Sequence, residues 1–154
     1  MALTHFVILS VFLTGGFAEV ANFRTCKDVS TDHCSVTAVR ITPCENPSKC
    51  VLPRAQNATL SFDFTPNFST SNLKTMVYYN AEEFAAMAKD SACQYTTCPT
   101  TSGVAQTFEY KLYIGAKLPP GTYPIEWKVW NGDSDDQVCC YSTTIKLKKA
   151  KKTK

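Results

Sequence analysis

Three stretches of the chain alternate apolar and polar side chains with a period of two, as in the run from Phe108 to Ile114. Successive side chains of a β-strand point to opposite faces, so this pattern predicts half-buried antiparallel strands with one apolar face each. The apolar positions in the three runs are Leu60, Phe62, Phe64, Phe108, Tyr110, Leu112, Ile114, Tyr123, Ile125, Trp127 and Val129.

Weaker strand patterns cover residues 36–42, 73–79 and 138–147, and turn signals such as Asn131-Gly132 separate the runs. Six or seven strands with one apolar face each are satisfied by two sheets packed face to face. We therefore predict an all-β fold, an immunoglobulin-like β-sandwich of two antiparallel sheets. Both tryptophans lie between Cys98 and Cys139, so the chain lacks the Cys, Trp, Cys order of a true immunoglobulin domain.

The segment from Asn80 to Ala88 departs from the strand pattern. Asn80 suits a helix N-cap, Glu83 follows three residues later, and Phe84 and Met87 are spaced as on one helix face. This predicts a helix of two or three turns. Two roles are open for this helix. It is either a connector over one end of the sandwich, or a lid whose Phe84 and Met87 close the mouth of a cavity.

The first 18 residues are typical of a secretory signal peptide. Residues 6–13 are almost wholly apolar, and Gly16 and Ala18 suit the small-residue positions of a cleavage site. The apolar run is shorter than the roughly 20 residues of a membrane-spanning helix. We predict cleavage after Ala18, with Ala21 as the second choice, and one folded domain over residues 19–148.

An even number of cysteines, eight, follows the leader and favours disulfides in an oxidising compartment. Zinc is the competing interpretation. However, His33 is the only histidine after the leader, and the five residues between Cys44 and Cys50 exceed the usual metal-knuckle spacing. We therefore expect disulfides, with no metal and no cofactor.

Positive charge concentrates at the C-terminus, where residues 146–154 carry six of the sixteen Lys and Arg residues. The basic tail 149–154 is either a solvated end or a segment attracted to anionic lipid or to an acidic receptor. The rest of the chain is mildly acidic, so nucleic acid is not an expected partner.

Candidate catalytic groups are poorly arranged, and we predict no catalytic residue. His33 would need a free thiol beside it to form a nucleophilic pair, and neighbouring Glu82 and Glu83 would diverge on a helix. The acidic cluster 133–136 lacks EF-hand spacing and is explained by a hairpin turn after Asn131-Gly132.

The cysteine frame and the strand pattern together resemble the ML lipid-recognition domain, and within it the Niemann-Pick type C2 protein family of secreted lipid carriers. The resemblance covers essentially the whole chain after the leader. It rests on Phe23-Arg-Thr-Cys26, Val39-Arg-Ile-Thr-Pro-Cys44, Cys50-Val-Leu-Pro-Arg54, Cys93-x4-Cys98-Pro99, Ile125-Glu-Trp127 and Cys140 before a last strand. The family implies two sheets that splay apart to hold a lipid.

The resemblance also implies three bridges, which pair Cys26 with Cys140, Cys44 with Cys50, and Cys93 with Cys98. Two cysteines remain, Cys34 and Cys139. Neighbouring residues on a strand point to opposite faces, so Cys139 and Cys140 are unsuited to bond to each other. We predict a fourth bridge between Cys34 and Cys139.

By this resemblance we expect a secreted carrier that binds a lipid between its sheets. We also expect a monomer, and a membrane or a receptor as the surface on which it would dock. Apolar alternation alone does not distinguish a hollow sandwich from a solid one. The predicted cavity residues are Leu60, Phe62, Phe64, Val77, Tyr79, Phe84, Met87, Phe108, Tyr110, Leu112, Ile114, Leu118, Ile125, Trp127 and Val129.

Ligand identity is open among three classes. The family's Tyr-Pro at the cavity mouth falls on Leu118-Pro119, and its proline-rich loop is replaced by the segment 81–89. These departures favour fatty acids or other long-chain, semiochemical-like lipids over sterol. Recognition of microbial lipid in innate immunity is the third alternative.

Two sequons suit N-glycosylation of a secreted protein, at Asn57 and Asn67. A third Asn-x-Ser sequence, at Asn46, is excluded by its proline.

Overall fold

A computed structural model describes residues 19–84 and 90–149, which form two β-sheets packed face to face. The strands are β1 (Glu19–Val20), β2 (Phe23–Thr25), β3 (Cys34–Thr42), β4 (Cys50–Pro53), β5 (Gln56–Pro66), β6 (Leu73–Tyr79), β7 (Glu82–Glu83), β8 (Asp90–Ser91), β9 (Gln106–Ile114), β10 (Gly121–Asn131) and β11 (Val138–Lys148). One sheet has the strand order β1-β3-β5-β9, and the other has the order β2-β11-β10-β6-β7 with β8 also on β6.

The predicted β-sandwich is confirmed, and every stretch predicted as a strand forms one. In β5 every second residue from Ala58 to Pro66 is buried, and the residues between them are half-buried, as the alternation requires. One pairing differs from the prediction, because β4 runs parallel to β11. The chain crosses from β3 to the second sheet to form β4, and returns to the first sheet for β5.

The helix predicted after Asn80 is wrong in the part that the structure describes. Asn80 and Ala81 have φ of 52° and 64°, and they form the two-residue loop of a hairpin in which Tyr79 pairs with Glu82. Positive φ at both central residues is the mark of a type I′ turn, which asparagine enters readily. Residues 85–89, including Met87, lie outside the described residues.

All eight cysteines are paired, and the pairs agree with the four expected bridges. The adjacent residues Cys139 and Cys140 point to opposite faces of β11. Cys139 reaches across the sandwich to Cys34 of β3, and Cys140 bonds Cys26 beyond the end of β2. The Cys34–Cys139 bridge therefore ties the two sheets together.

The acidic cluster 133–136 lies in the β10–β11 hairpin, in agreement with the sequence interpretation. The side-chain oxygen of Asn131 accepts the backbone N–H of Asp133 at 3.1 Å, and the Asn131 N–H donates to the Gln137 carbonyl at 3.1 Å. Gly132 lies so close to Asn72 that an added Cβ would stand 2.7 Å from its carbonyl oxygen. The turn therefore requires glycine at this position.

One half of the sandwich is filled by aromatic side chains from both sheets. The ring of Phe62 stacks on Phe108 at 4.9 Å between centroids and contacts Tyr141 at 5.0 Å. Trp127 closes the cluster, with its ring 5.6 Å from Phe108. Buried rings in offset or edge contact contribute more than their area alone, and this cluster forms the solid part of the core.

Candidate functional site

The other half of the sandwich is hollow, with a cavity of about 240 Å³ between the sheets. Its walls come from β5 and β9 on one side, and from β4, β6, β10 and β11 on the other. It lies at the end of the sandwich where β9 leads into β10. The lining residues are Leu52, Leu60, Val77, Phe84, Tyr110, Lys111, Leu112, Tyr113, Ile114, Leu118, Tyr123, Ile125, Trp127, Ile145 and Leu147.

The cavity lining includes many of the residues that the alternation indicated. They share the inward face of their strands, apart from two that lie in loops at the cavity mouth, Phe84 and Leu118. The predicted cavity residues found in the lining are Leu60, Val77, Phe84, Tyr110, Leu112, Ile114, Leu118, Ile125 and Trp127.

Four other predicted wall residues are placed in solid core instead: Phe62, Phe64, Phe108 and Val129. Their exposure does not exceed 2%, and they are outside the cavity lining. The physical reason is the aromatic cluster, which fills the space between the sheets on that side of Trp127.

Two predicted cavity residues are left, Tyr79 and Met87. The ring of Tyr79 packs on Tyr123, 5.2 Å between centroids, and Tyr79 is not among the lining residues. Met87 lies outside the described residues.

Sequence reasoning missed part of the wall, chiefly where β4 runs beside β11. Leu52 pairs with Leu147, and both face the cavity together with Ile145. A parallel pairing between distant segments has no local signature in the sequence. Tyr123, in contrast, belongs to the same apolar alternation as Ile125, and that signal could have found it.

The indole of Trp127 separates the hollow part of the sandwich from the solid part. Its N–H donates to Thr75 Oγ1 at 2.8 Å, and the Thr75 hydroxyl donates to the Lys128 carbonyl at 3.1 Å. Buried polar groups are costly unless they are hydrogen-bonded. This chain satisfies the indole within the sheet and leaves the Trp127 ring free to serve as apolar wall.

The loop between β9 and β10 forms one side of the cavity mouth and is held from two directions. Arg54 Nη1 donates to the carbonyl oxygens of Ala116 and Leu118 at 2.8 and 2.7 Å. The Tyr123 hydroxyl donates to the Pro119 carbonyl at 2.7 Å. These bonds hold the backbone that carries Leu118 in place.

Next to the cavity, the outer face of β9 is polar and exposed. The ring of Tyr113 is 63% exposed, and the Lys111 ammonium pairs with Glu109 at 3.2 Å. These outward residues alternate with the inward residues Tyr110, Leu112 and Ile114. Surface ion pairs of this kind contribute little to stability, so the Lys111 ammonium can also pair with another anion.

Tyr141 and Asp63 are two of the titratable groups outside the cavity whose pKa is shifted. Burial raises the pKa of Tyr141, whose hydroxyl has no hydrogen-bond partner within the described residues. The hydrogen bond from Arg40, 2.6 Å from the carboxylate, lowers the pKa of Asp63, and Thr107 adds a second donor. The Arg40–Asp63 pair joins β3 to β5 on the outer face of its sheet.

One group of potential metal ligands lies within the described chain, at Cys26, Glu126 and Cys140. Both sulfurs belong to the same disulfide, so neither can act as a thiolate ligand. Among residues 19–84 and 90–149, no helix is both long and apolar enough to span a bilayer.

Comparison with known proteins agrees with this architecture. A family model described as the ML domain matches residues 20–147. An MD-2-related lipid-recognition protein of Manduca sexta is 46% identical over 97% of this chain and 100% of its own length. An ecdysteroid-regulated 16 kDa protein of the same species is 31% identical over 62% of this chain and 68% of its own length.

The fold also matches a crystal structure of a Niemann-Pick type C2 protein from the Japanese carpenter ant. The TM-score is 0.62, with 16% identity over 86% of this chain and 99% of the other. Such low identity shows a shared fold alone, whereas the family model spans nearly the whole described chain. The chain therefore belongs to the ML-domain family of lipid-recognition proteins, which bind their ligands and are not enzymes.

Proposed function

We propose that this protein is a secreted carrier that holds a fatty acid or a similar long-chain lipid between its two sheets. The observation that carries the proposal is the apolar cavity bounded by Trp127, which receives side chains from both sheets. Concave and mostly apolar sites of this kind are the usual form of small-molecule pockets in proteins.

The size of the cavity favours a slim ligand. At about 240 Å³ it lies just below the roughly 300–1,000 Å³ of most ligand pockets. A single hydrocarbon chain needs less width than a fused ring system, so long-chain lipid leads and sterol is the alternative. Each methylene that leaves water contributes about 0.8 kcal/mol, which the ordering of the chain partly offsets.

The polar end of such a ligand would lie at the mouth of the cavity. Lys111 is among the residues around the cavity, so a carboxylate that reached its ammonium would compete with Glu109 for it. The exposed Lys117 lies in the loop at the same mouth, which supports docking of this end of the sandwich on a membrane or a receptor.

Secretion is supported by the four disulfides, since such bridges persist in oxidising compartments. Strand β1 begins at Glu19, directly after the proposed cleavage site, and the Ala21 N–H donates to the Val39 carbonyl at 2.7 Å. Cleavage after Ala18 keeps these contacts, and cleavage after Ala21 removes β1. The N-terminus of the secreted protein, determined by mass spectrometry, distinguishes the two.

Recognition of microbial lipid remains the second candidate function. The 46% identical relative is named a lipid-recognition protein, which fits a carrier and a recognition module equally. A recognition module loses function when its surface is altered, for example by neutralising the lysines of the tail. A carrier loses function when its cavity is filled.

Native mass spectrometry of the secreted protein, before and after solvent extraction, tests the proposal. We expect a discrete long-chain adduct that extraction removes, on a monomeric protein. Displacement of a fluorescent fatty acid by unlabelled fatty acid, and not by sterol, is expected in parallel. A reproducibly empty protein that binds neither a fatty-acid probe nor a sterol probe contradicts the carrier function.

A further inference from the structure

One of the two sequons lies directly opposite an exposed aromatic ring. Asn57 of β5 pairs in register with Tyr113 of β9, and Thr59, the hydroxyl residue of the same sequon, pairs with Lys111. Asn57 is exposed, and Tyr113 is 63% exposed. Directly paired residues of an antiparallel ladder project to the same face, so the asparagine and the ring stand side by side on the outer surface.

The hydrogen-bond pattern brings this pair close together. The Glu109 N–H donates away from β5, to the Tyr95 carbonyl at 2.9 Å. The register from Asn57 to Phe64 is continuous, so Tyr113 has the same orientation as Glu109 along β9. Asn57 and Tyr113 therefore form a non-hydrogen-bonded pair, the type in which side chains are closest.

A depression of about 250 Å³ lies at the same place on the surface. It is lined by both members of the pair and by their neighbours on the two strands. Its residues are Asn57, Ala58, Thr59, Lys111, Leu112 and Tyr113. The surface thus offers room for a bulky group that starts from the Asn57 amide and passes over the Tyr113 ring.

We propose that Asn57 carries an N-linked glycan whose first sugar packs on the ring of Tyr113. The C–H face of a sugar ring carries partial positive charge, and the face of an aromatic ring is negative, so the two attract in the way that cations attract rings. The ring is already exposed, so the contact buries apolar surface that otherwise faces water. The proposal rests on the proposed secretion, and not on the identity of the lipid.

The position of the glycan also matters for the edge of the sheet. β9 is the last strand of its sheet, and an uncovered strand edge invites pairing with another chain. The side chain of Lys111 protects this edge by charge, and a sugar over Tyr113 would protect it by bulk. The glycan thus favours a monomer.

The second sequon differs, because its asparagine is already hydrogen-bonded to the protein. The Asn67 side-chain N–H donates to the Asp32 carbonyl at 2.6 Å, and its backbone N–H donates to the His33 carbonyl at 2.8 Å. The attachment nitrogen of Asn67 is thus already engaged with the protein. Asn67→Gln serves as the comparison for any general effect of losing a sequon.

The test uses the full chain, secreted from insect cells and freed of lipid by extraction. Because no lipid is present, the result does not depend on whether the protein is a lipid carrier. Peptide mapping by mass spectrometry should find hexosamine on Asn57. Asn57→Gln and Thr59→Ala both remove the glycan, and we expect each to lower the Tm by roughly 2–4 °C. In a Tyr113→Ala background, the same removal should cause little or no further loss.

Two results would overturn the proposal. One is an unoccupied Asn57 in the secreted protein. The other is a loss of Tm on glycan removal that is as large in the Tyr113→Ala background as in the protein that keeps the Tyr113 ring. A Tyr113→Ser background repeats the comparison if Tyr113→Ala folds poorly. Upfield ring-current shifts of the first sugar's protons, lost in either background, give a readout that does not depend on stability.

Discussion

Thr75 accepts the indole N–H of Trp127 at 2.8 Å across the β6–β10 pair, at the boundary between the solid and hollow parts of the sandwich. Thr75 pairs directly with Val129, so it is the diagonal neighbour of Trp127 on the inner face. Its own hydroxyl donates to the Lys128 carbonyl. Because Thr75 accepts the indole N–H, the ring of Trp127 forms an apolar wall and does not turn its own polar atom into the cavity.

Replacing Thr75 with Val should destabilise the protein by about 1–3 kcal/mol, because the shape is kept while a buried N–H loses its acceptor. Urea unfolding measures the change in the free energy of unfolding. Thr75→Ser, which keeps the hydroxyl, is the matched control and should lose clearly less. A Thr75→Val variant as stable as the wild type, with a loss only in Thr75→Ser, would mean that the methyl group of Thr75 matters and the hydrogen bond does not.

Val77→Trp should weaken the binding of a fluorescent fatty acid while the protein stays folded, because the larger side chain enters empty space. Val129→Trp is the matched control in solid core, where overpacking costs about 1–3 kcal/mol or more. Probe titration and urea unfolding of both variants check the contrast. If Val77→Trp unfolds as readily as Val129→Trp, Val77 is part of the solid core and the cavity is misplaced.

Arg54→Gln should speed the release of bound lipid, because it weakens the charge-assisted bonds to the Ala116 and Leu118 carbonyls that hold the mouth loop. Stopped-flow dissociation of a fluorescent fatty acid measures the rate. Tyr123→Phe removes the other bond to the same loop, to Pro119, and should act in the same direction. Unchanged dissociation in both variants would show that this loop does not gate the cavity.

Removing the Cys34–Cys139 bridge by a double Ala substitution should cost only about 2–3 kcal/mol in the chain-entropy description. Its cysteines are 105 residues apart, but the Cys26–Cys140 bridge already closes the same long loop. Loss of the Cys93–Cys98 bridge, which spans only 5 residues, should cost a similar amount, about 2 kcal/mol. Guanidinium unfolding of the two double variants measures both costs. A cost of about 4–5 kcal/mol for the Cys34–Cys139 variant would contradict the argument that the two long bridges share one loop.

Acid should remove the stabilisation supplied by Asp63. Its pKa is lowered in the folded protein by Arg40 first and by Thr107 as well, from an ordinary value of 3.8. A carboxylate with a depressed folded pKa stabilises above its unfolded pKa and loses this contribution as the pH falls through the folded value. The free energy of unfolding should therefore decline below about pH 4, less steeply in Asp63→Asn than in the wild type. Parallel pH profiles would contradict this.

How much of the site could be predicted depends on the kind of signal. Leu60 and Phe62 are both inward residues of β5 and are equally apolar, yet one lines the cavity and the other fills the core. The alternation identifies both as inward residues, but it does not distinguish a cavity wall from solid core. Asn80 shows a different limit, because its suitability for an N-cap and for a type I′ turn comes from the same short polar side chain.

Local alternation and an ordered set of cysteines were enough to predict the strands, the inward face of each, the two-sheet fold and the family. The position of the hollow part of the sandwich became visible only in the folded protein. That depends on which rings meet across the sheets, as Phe62, Phe108 and Trp127 do, and on the parallel contact that brings Leu52 beside Leu147. Whether the space opposite an apolar side chain is filled is a property of the facing sheet, which no local pattern records.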